Sequence, residues 1–172
     1  MWNTKNYAQF NNCIKDLTQT SGVQAMSKIP QHANVNCLDH SIFVSYISFL
    51  LCRFFGLDFV SGSRGGLLHD LFLYDWRKDN NHRKYHLFSH PIAALENAST
   101  LYNLTDMEKD IIVKHMWPLT IKTPKYKESF LVSCADKFCA LVEMFYIYKF
   151  MDISGKLEMF YSSHRLEKQF SF

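Results

Sequence analysis

Six side chains in this sequence have the chemistry to hold divalent cations: His40, the doublet His69-Asp70, His90, His115 and Asp136. Imidazole nitrogen and carboxylate oxygen together suit iron, manganese, zinc and other first-row metals. A carboxylate has two oxygens and can bridge two cations, whereas a neutral imidazole offers one nitrogen lone pair. Each residue taken singly also has a plainer explanation. A buried histidine is more often a hydrogen-bonded core residue than a ligand, and inference from one alone is probabilistic. Asp136 is the most demanding of the six, because it lies within Ser133-Cys134-Ala135-Asp136-Lys137, an otherwise small and apolar stretch. A carboxylate buried there needs a cation or hydrogen-bond donors.

The elements that must position these residues read as helices. Asn6 to Leu17 has the spacing of a short amphipathic helix, and Ser21 caps a second one that ends before Pro30. Gln31 to Cys37 is polar and irregular. A long apolar helix is predicted from about Leu38 to Phe55, with His40 near its start and Gly56 as its stop. Asp58 caps the next helix, which carries Gly65-Gly66-Leu67-Leu68-His69-Asp70. Adjacent helical residues point roughly 100° apart. His69 and Asp70 can therefore serve one site only from a helix end. Two glycines inside a helix weaken it by roughly 1 kcal/mol each relative to Ala, and their expected use is close approach of a neighbouring helix.

Tyr74 to Tyr85 reads as a charged loop. Ser89 has the character of an N-cap, with Pro91 in the first turn of a helix running to about Tyr102. His90 would then open that helix. Thr105-Asp106-Met107-Glu108 matches the capping box, and its helix should end near His115, where Trp117-Pro118 breaks the pattern. After the basic loop Lys122 to Lys127, the longest helix is expected from Glu128 to about Met151, carrying Asp136. Gly155 precedes a last short helix. No strand pattern or repeat is evident, so the fold class is all-α, in one compact domain.

Bulk properties agree. The chain has 172 residues, of which 48% are hydrophobic and 16% aromatic, enough for a substantial core. Its 19 Lys and Arg against 16 Asp and Glu leave a net charge of only +3, which argues against a nucleic-acid polymer as partner. Cys13, Cys37, Cys52, Cys134 and Cys139 are odd in number and form no C-x-x-C pair, so free thiols in a reducing cytoplasm are expected. Cys134 and Cys139 should pack the helix around Asp136. Met1 to Gln19 lacks the apolar core of a secretory signal. Ile42 to Leu51 is too short to span a bilayer and reads as a buried helix, so no membrane partner is expected.

The ordered set His40, His69-Asp70, His90, His115 and Asp136 resembles the HD-domain superfamily of metal-dependent phosphohydrolases. Neighbouring words resemble it too: Asp39-His40-Ser41 at the head of an apolar helix, Gly66-Leu67-Leu68-His69-Asp70, and Ala135-Asp136-Lys137 in a late helix. The resemblance covers roughly residues 32–145, with short helical extensions on either side, and is closest to small stand-alone bacterial HD proteins. It implies an HD-type helical bundle over the single domain 1–172. It also implies two divalent ions, of iron, manganese, another first-row metal or magnesium. One would take His40, His69, Asp70 and Asp136, and the other His90 and His115, with Asp70 bridging.

The function this implies is metal-dependent hydrolysis of a phosphate ester or anhydride in a nucleotide or related small phosphorylated compound. A cation lowers the pKa of water and offsets charge on phosphoryl oxygens, so no Ser or Cys nucleophile is required. His69 and Asp70 would be central to catalysis. Arg64, Lys78 and Lys137 are the cations chosen for phosphate contact, from a set that includes Arg77, Arg83 and Lys84. Many HD enzymes carry Gly then Lys shortly after the doublet. Here the run is Leu71-Phe72-Leu73-Tyr74-Asp75-Trp76, so Lys78 or Asp75 would have to substitute. The alternatives are a di-iron oxygenase built on the same ligands and a non-catalytic scaffold that binds a nucleotide. Trp117 could stack on a base, although core packing is the simpler role. His32 could lie close behind the site or line its pocket, His82 and His86 could line its entrance, and His164 has a surface role. A homodimer is a further expectation from the abundant aromatics.

Overall fold

The computed structural model describes residues 4–31, 35–78 and 80–145. Seven α-helices and no strand occur among the described residues: α1 Thr4–Thr18, α2 Ser21–Ala25, α3 Cys37–Phe54, α4 Phe59–Leu68, α5 Asn80–Leu101, α6 Asp106–Lys114 and α7 Lys127–Met144. The all-α expectation holds. His32, His164, the stretch toward Met151 and the helix expected after Gly155 lie outside the described residues, as do the side chains of His82, Arg83 and Lys84.

α3 is the axle of the fold. It is 18 residues long and apolar enough by composition to cross a bilayer, yet 67% of it is buried within the protein. A helix apolar all round must be covered all round. Tyr46 and Phe49 face one core with Phe10, Ile14 and Leu67, while Phe43, Val44 and Ile47 face a second with Ile111, Val132 and Cys139. Asn36 caps its start through Asp39 N, and Gly56, at φ 66°, ends it in the left-handed region that glycine adopts without penalty.

α4 slots between α3 and α6 because it carries Gly65 and Gly66. A Cβ on Gly65 would meet Ile111 at 2.7 Å, and one on Gly66 would meet the Ser45 backbone at 3.1 Å. Asp58 caps α4 by accepting from Val60 N and Ser61 N, and His69 is its C-cap, so the doublet sits at a helix end as expected. Thr105 and Glu108 form the complete capping box of α6.

Four local expectations need correction. α2 is capped by Thr20, not Ser21. α5 begins at Asn80 rather than Ser89, and its 22 residues make it longer than α7, with 18. Ser89 is interior to α5 and its hydroxyl donates back to Tyr85 O at 3.0 Å. Pro91 therefore sits within the helix, where it removes one backbone donor. Cys139 is in the core, but Cys134 is exposed on the outer face of α7.

Candidate metal centre

The helices bring all six residues of the His/Asp set to one buried place. His40 comes from the first turn of α3, His69 and Asp70 from the end of α4, His90 from mid-α5, His115 from the end of α6 and Asp136 from mid-α7. None is more than 8% exposed. One nitrogen or oxygen from each of His40, His69 and Asp136 lies within 4.8 Å of the other two, and the same holds for His69, Asp70 and His115.

His69 belongs to both groups, and Asp70 joins it to His90 and His115. Its Oδ2 lies 3.3 Å from His69 Nε2, and its Oδ1 lies 3.4 Å from His90 Nε2 and 3.6 Å from His115 Nε2. On the other side, Asp136 Oδ1 lies 3.2 Å from His40 Nε2 and 3.7 Å from His69 Nε2.

The histidines are held by their far nitrogens. Nδ1 of His69 donates to Gly66 O at 2.7 Å, that of His90 to His86 O at 2.6 Å, and that of His115 to Ile112 O at 2.8 Å. Each acceptor is a carbonyl of the ring's own helix, three or four residues back. His40 Nδ1 donates instead to the buried Glu143 carboxylate at 2.9 Å. All four Nε2 atoms thus point inward, that of His40 to Asp136 Oδ1, that of His69 toward Asp70 and Asp136, and those of His90 and His115 to each other. This is the arrangement by which outer hydrogen bonds fix the tautomer of a ligating histidine.

Two atoms test whether a cation fits. His69 Nε2 and Asp70 Oδ1 are fully buried, and neither has a hydrogen-bond partner among the described residues. Buried polar atoms are nearly always satisfied. An imidazole nitrogen and a carboxylate oxygen left unpartnered within one His/Asp cluster match the donor set of a first-row metal, so the residues present fit such an ion.

The electrostatics point the same way. Burial would lower the His69 pKa, but Asp70 and Asp136 overcome it and raise it to about 9. Burial likewise opposes charge on His40, and Glu143 with Asp136 overcomes it. Burial would raise Asp70, yet His69, His90 and His115 hold it well below the usual carboxylate range. Burial would also raise Asp136, which His40 and His69 hold well below that range. His115 is pushed down to about 3, by burial and then by His69 and His90. The buried carboxylates thus favour positive charge at His40 and His69. A bound cation would supply that charge in their place.

A cleft of about 630 Å³ reaches this cluster, and Asp70, His90, His115 and Asp136 form part of its wall. Lys137 lines it as well, with Nζ donating to His115 O at 2.6 Å and standing 3.4 Å from Asp136 Oδ2. The other two chosen cations are not brought to the cleft. Arg64 is committed to Glu108 at 2.8 Å and Asp16 at 2.7 Å on the other side of α4. Lys78 points to solvent, 84% exposed, beside Asp75. His86 does line the cleft, as an entrance residue should. Trp117 packs on Phe130 at 5.5 Å.

Three features escape the sequence reading. Glu143 lies two helical turns beyond Asp136, a spacing that would have flagged it as facing the same way. Gln31 donates from Nε2 to Asp70 Oδ2 and leaves its buried Oε1 without a partner among the described residues. No pattern around Pro30 announces it. Trp76, read as part of a charged loop, stacks on His86 at 5.1 Å, and His86 stacks on His90 at 4.7 Å.

No family model, curated protein or solved structure matches the chain.

Proposed function

We propose that the chain is an HD-type, metal-dependent phosphohydrolase of the cytoplasm that acts on a nucleotide or related small phosphorylated compound. The observation that carries this reading is the position of Asp70. Its two oxygens face different histidines, one of those oxygens is orphaned in the interior, and the whole group borders an open cleft. His40, His69, Asp70 and Asp136 would hold one ion. His90 and His115 would hold a second, shared through Asp70.

Such ions supply two kinds of chemistry when bound: they lower the pKa of water and offset charge on phosphoryl oxygens. The chain's own residues set the geometry. Backbone carbonyls and Glu143 fix four imidazoles with Nε2 inward. Gln31 orients the Asp70 carboxylate from the cleft side. Lys137 presents an ammonium beside Asp136, where it can donate to an oxygen of the phosphoryl group.

The test is a direct one. The purified protein is assayed for bound metals, then for phosphate release from a panel of phosphorylated compounds with Mn²⁺ or Fe²⁺. Release is expected, and its disappearance in Asp70→Ala. A second reading, a di-iron oxygenase, draws on the same ligands and on the scarcity of cations in the cleft. Oxygen consumption on a small organic substrate, with no phosphate released from any compound, would overturn the hydrolase.

A further inference from the structure

The cleft has a second half that metal chemistry does not explain. On α7, Ala140 and Met144 follow Asp136 by one and two turns, which carries them roughly 6 and 12 Å along the helix axis. On α5, Leu87 lies one turn before His90. Met116 and Leu119, from the turn after α6, and Trp76, beside His86, also line the cleft. The ligand cluster therefore opens into an apolar trough.

Its rim is exposed among the described residues. Leu87 is 42% exposed, Leu119 58% and Met144 56%. Large apolar side chains gathered at the mouth of a cleft mark a binding surface more often than a random exposure does. The trough is continuous with the metal cluster, so what covers it should be the body of the molecule whose head reaches the cluster.

The charge pattern restricts that head. Lys137 is the only Lys or Arg lining the cleft among the described residues. Arg77 does not line it: its guanidinium is engaged by two residues that do, lying over the Trp76 ring at 5.2 Å and donating to Gln31 O at 2.9 Å. One ammonium, with the ions that the six ligands would hold, would match one phosphate group rather than a chain of them. The body is restricted as well. Gln31 and His86 also line the cleft, but they lie at its ligand end, on Asp70 and His90. Along the trough, Leu87, Met116, Leu119, Ala140 and Met144 have no side-chain group to meet the polar edge of a nucleobase, and an unmatched polar edge is costly to desolvate.

We propose that the preferred substrate is a phosphate monoester with an apolar body, aliphatic or aryl, rather than a nucleoside polyphosphate. This rests on the phosphohydrolase reading and narrows it. Trp76 and the two α7 residues select the body, and Lys137 meets the single phosphate.

The test uses the full-length, Mn²⁺-loaded protein and compares kcat/KM for hexyl phosphate, 1-naphthyl phosphate, glycerol phosphate, AMP and ATP. A hydrophobic pocket distinguishes bodies that differ by single methylenes about 10-fold or more. The apolar esters should therefore exceed glycerol phosphate and AMP by at least about 10-fold, with ATP poorest. In Ala140→Trp the ratio of hexyl to glycerol phosphate should fall toward unity through KM. Leu119→Gln, on the exposed rim, provides the same readout if the first variant folds poorly. Phosphate release with equal rates for hexyl and glycerol phosphate, or with ATP preferred, overturns this inference and leaves the hydrolase standing. Absence of release from every ester overturns the hydrolase reading and this one with it. A dimer that dissociates in Leu119→Gln while the ester preference is unchanged assigns the rim to a second copy, and also overturns it.

Discussion

The Nε2 atoms of His90 and His115 lie 2.8 Å apart, and the Nδ1 atom of each ring is engaged by a backbone carbonyl. Two neutral rings held this way aim lone pairs at each other. A proton or a cation relieves that opposition, and with Asp70 Oδ1 at 3.4 and 3.6 Å a cation has a third donor ready.

Metal content should follow this geometry. Protein loaded with Mn²⁺ or Fe²⁺ and then desalted should carry two ions per chain. His115→Ala should carry about one, and Asp70→Ala close to none, with helical circular dichroism retained. Elemental analysis of the three proteins decides the matter. Two ions in His115→Ala would remove the second site from the reading.

Glu143 is expected to act through His40. Outer carboxylates of this kind are worth about 10–100-fold in metal affinity. Glu143→Gln keeps the size and one acceptor but loses the charge, so competition with a chelator should show affinity reduced within that range. An unchanged affinity would mean that the bond at 2.9 Å is merely a packing contact.

Gly65 should not tolerate a methyl group. A Cβ there meets Ile111 at 2.7 Å, within the helix that presents His115. Gly65→Ala is expected to lower stability by about 1–3 kcal/mol, the usual cost of overpacking, as read from urea unfolding. Ile111→Ala, which removes Cγ2 and Cδ1, should cost less in the Gly65→Ala chain than it does alone. Additive losses in the double variant would contradict the steric cause.

Asp110 sets an acid limit. Burial favours its neutral form, but Lys114 at 2.6 Å, Ser129 at 2.7 Å and Lys125 N at 2.9 Å hold its carboxyl below the usual range. A carboxyl lowered in the folded state contributes stability that is full above its unfolded pKa, about 3.9, and is lost as pH falls through the folded value. Melting curves from pH 6 to pH 3 should therefore fall more steeply below about pH 4 for the native chain than for Asp110→Asn. Parallel curves would exclude Asp110 as a source of acid sensitivity.

How much was legible in the sequence depends on how local the signal was. The capping box at Thr105 and Glu108 and the cap at Asp58 are short-range devices, and both were readable. The start of α5 was not, because Ser89 followed by Pro91 imitates a helix N-terminus, and only the contacts of α5 with its neighbours show that the helix is already running. The convergence of His40, His69, Asp70, His90, His115 and Asp136 was readable as an ordered set of residue types. Arg64 was misjudged for the opposite reason. A charged residue near the doublet in sequence faces the far side of α4, where Glu108 and Asp16 pair with it. Glu143 and Gln31 were missed because an outer hydrogen bond leaves no residue pattern of its own.

His40 and Asp136 are 96 residues apart in sequence and 3.2 Å apart in space. A cation gripped by both would be a removable cross-link across most of the fold. Closing a loop of that length takes much freedom from the unfolded chain, and an ion that binds only the folded form stabilises it in proportion to its supply. The lifetime of this chain against unfolding and proteolysis would then track the metal supply of its surroundings, quite apart from any reaction it catalyses.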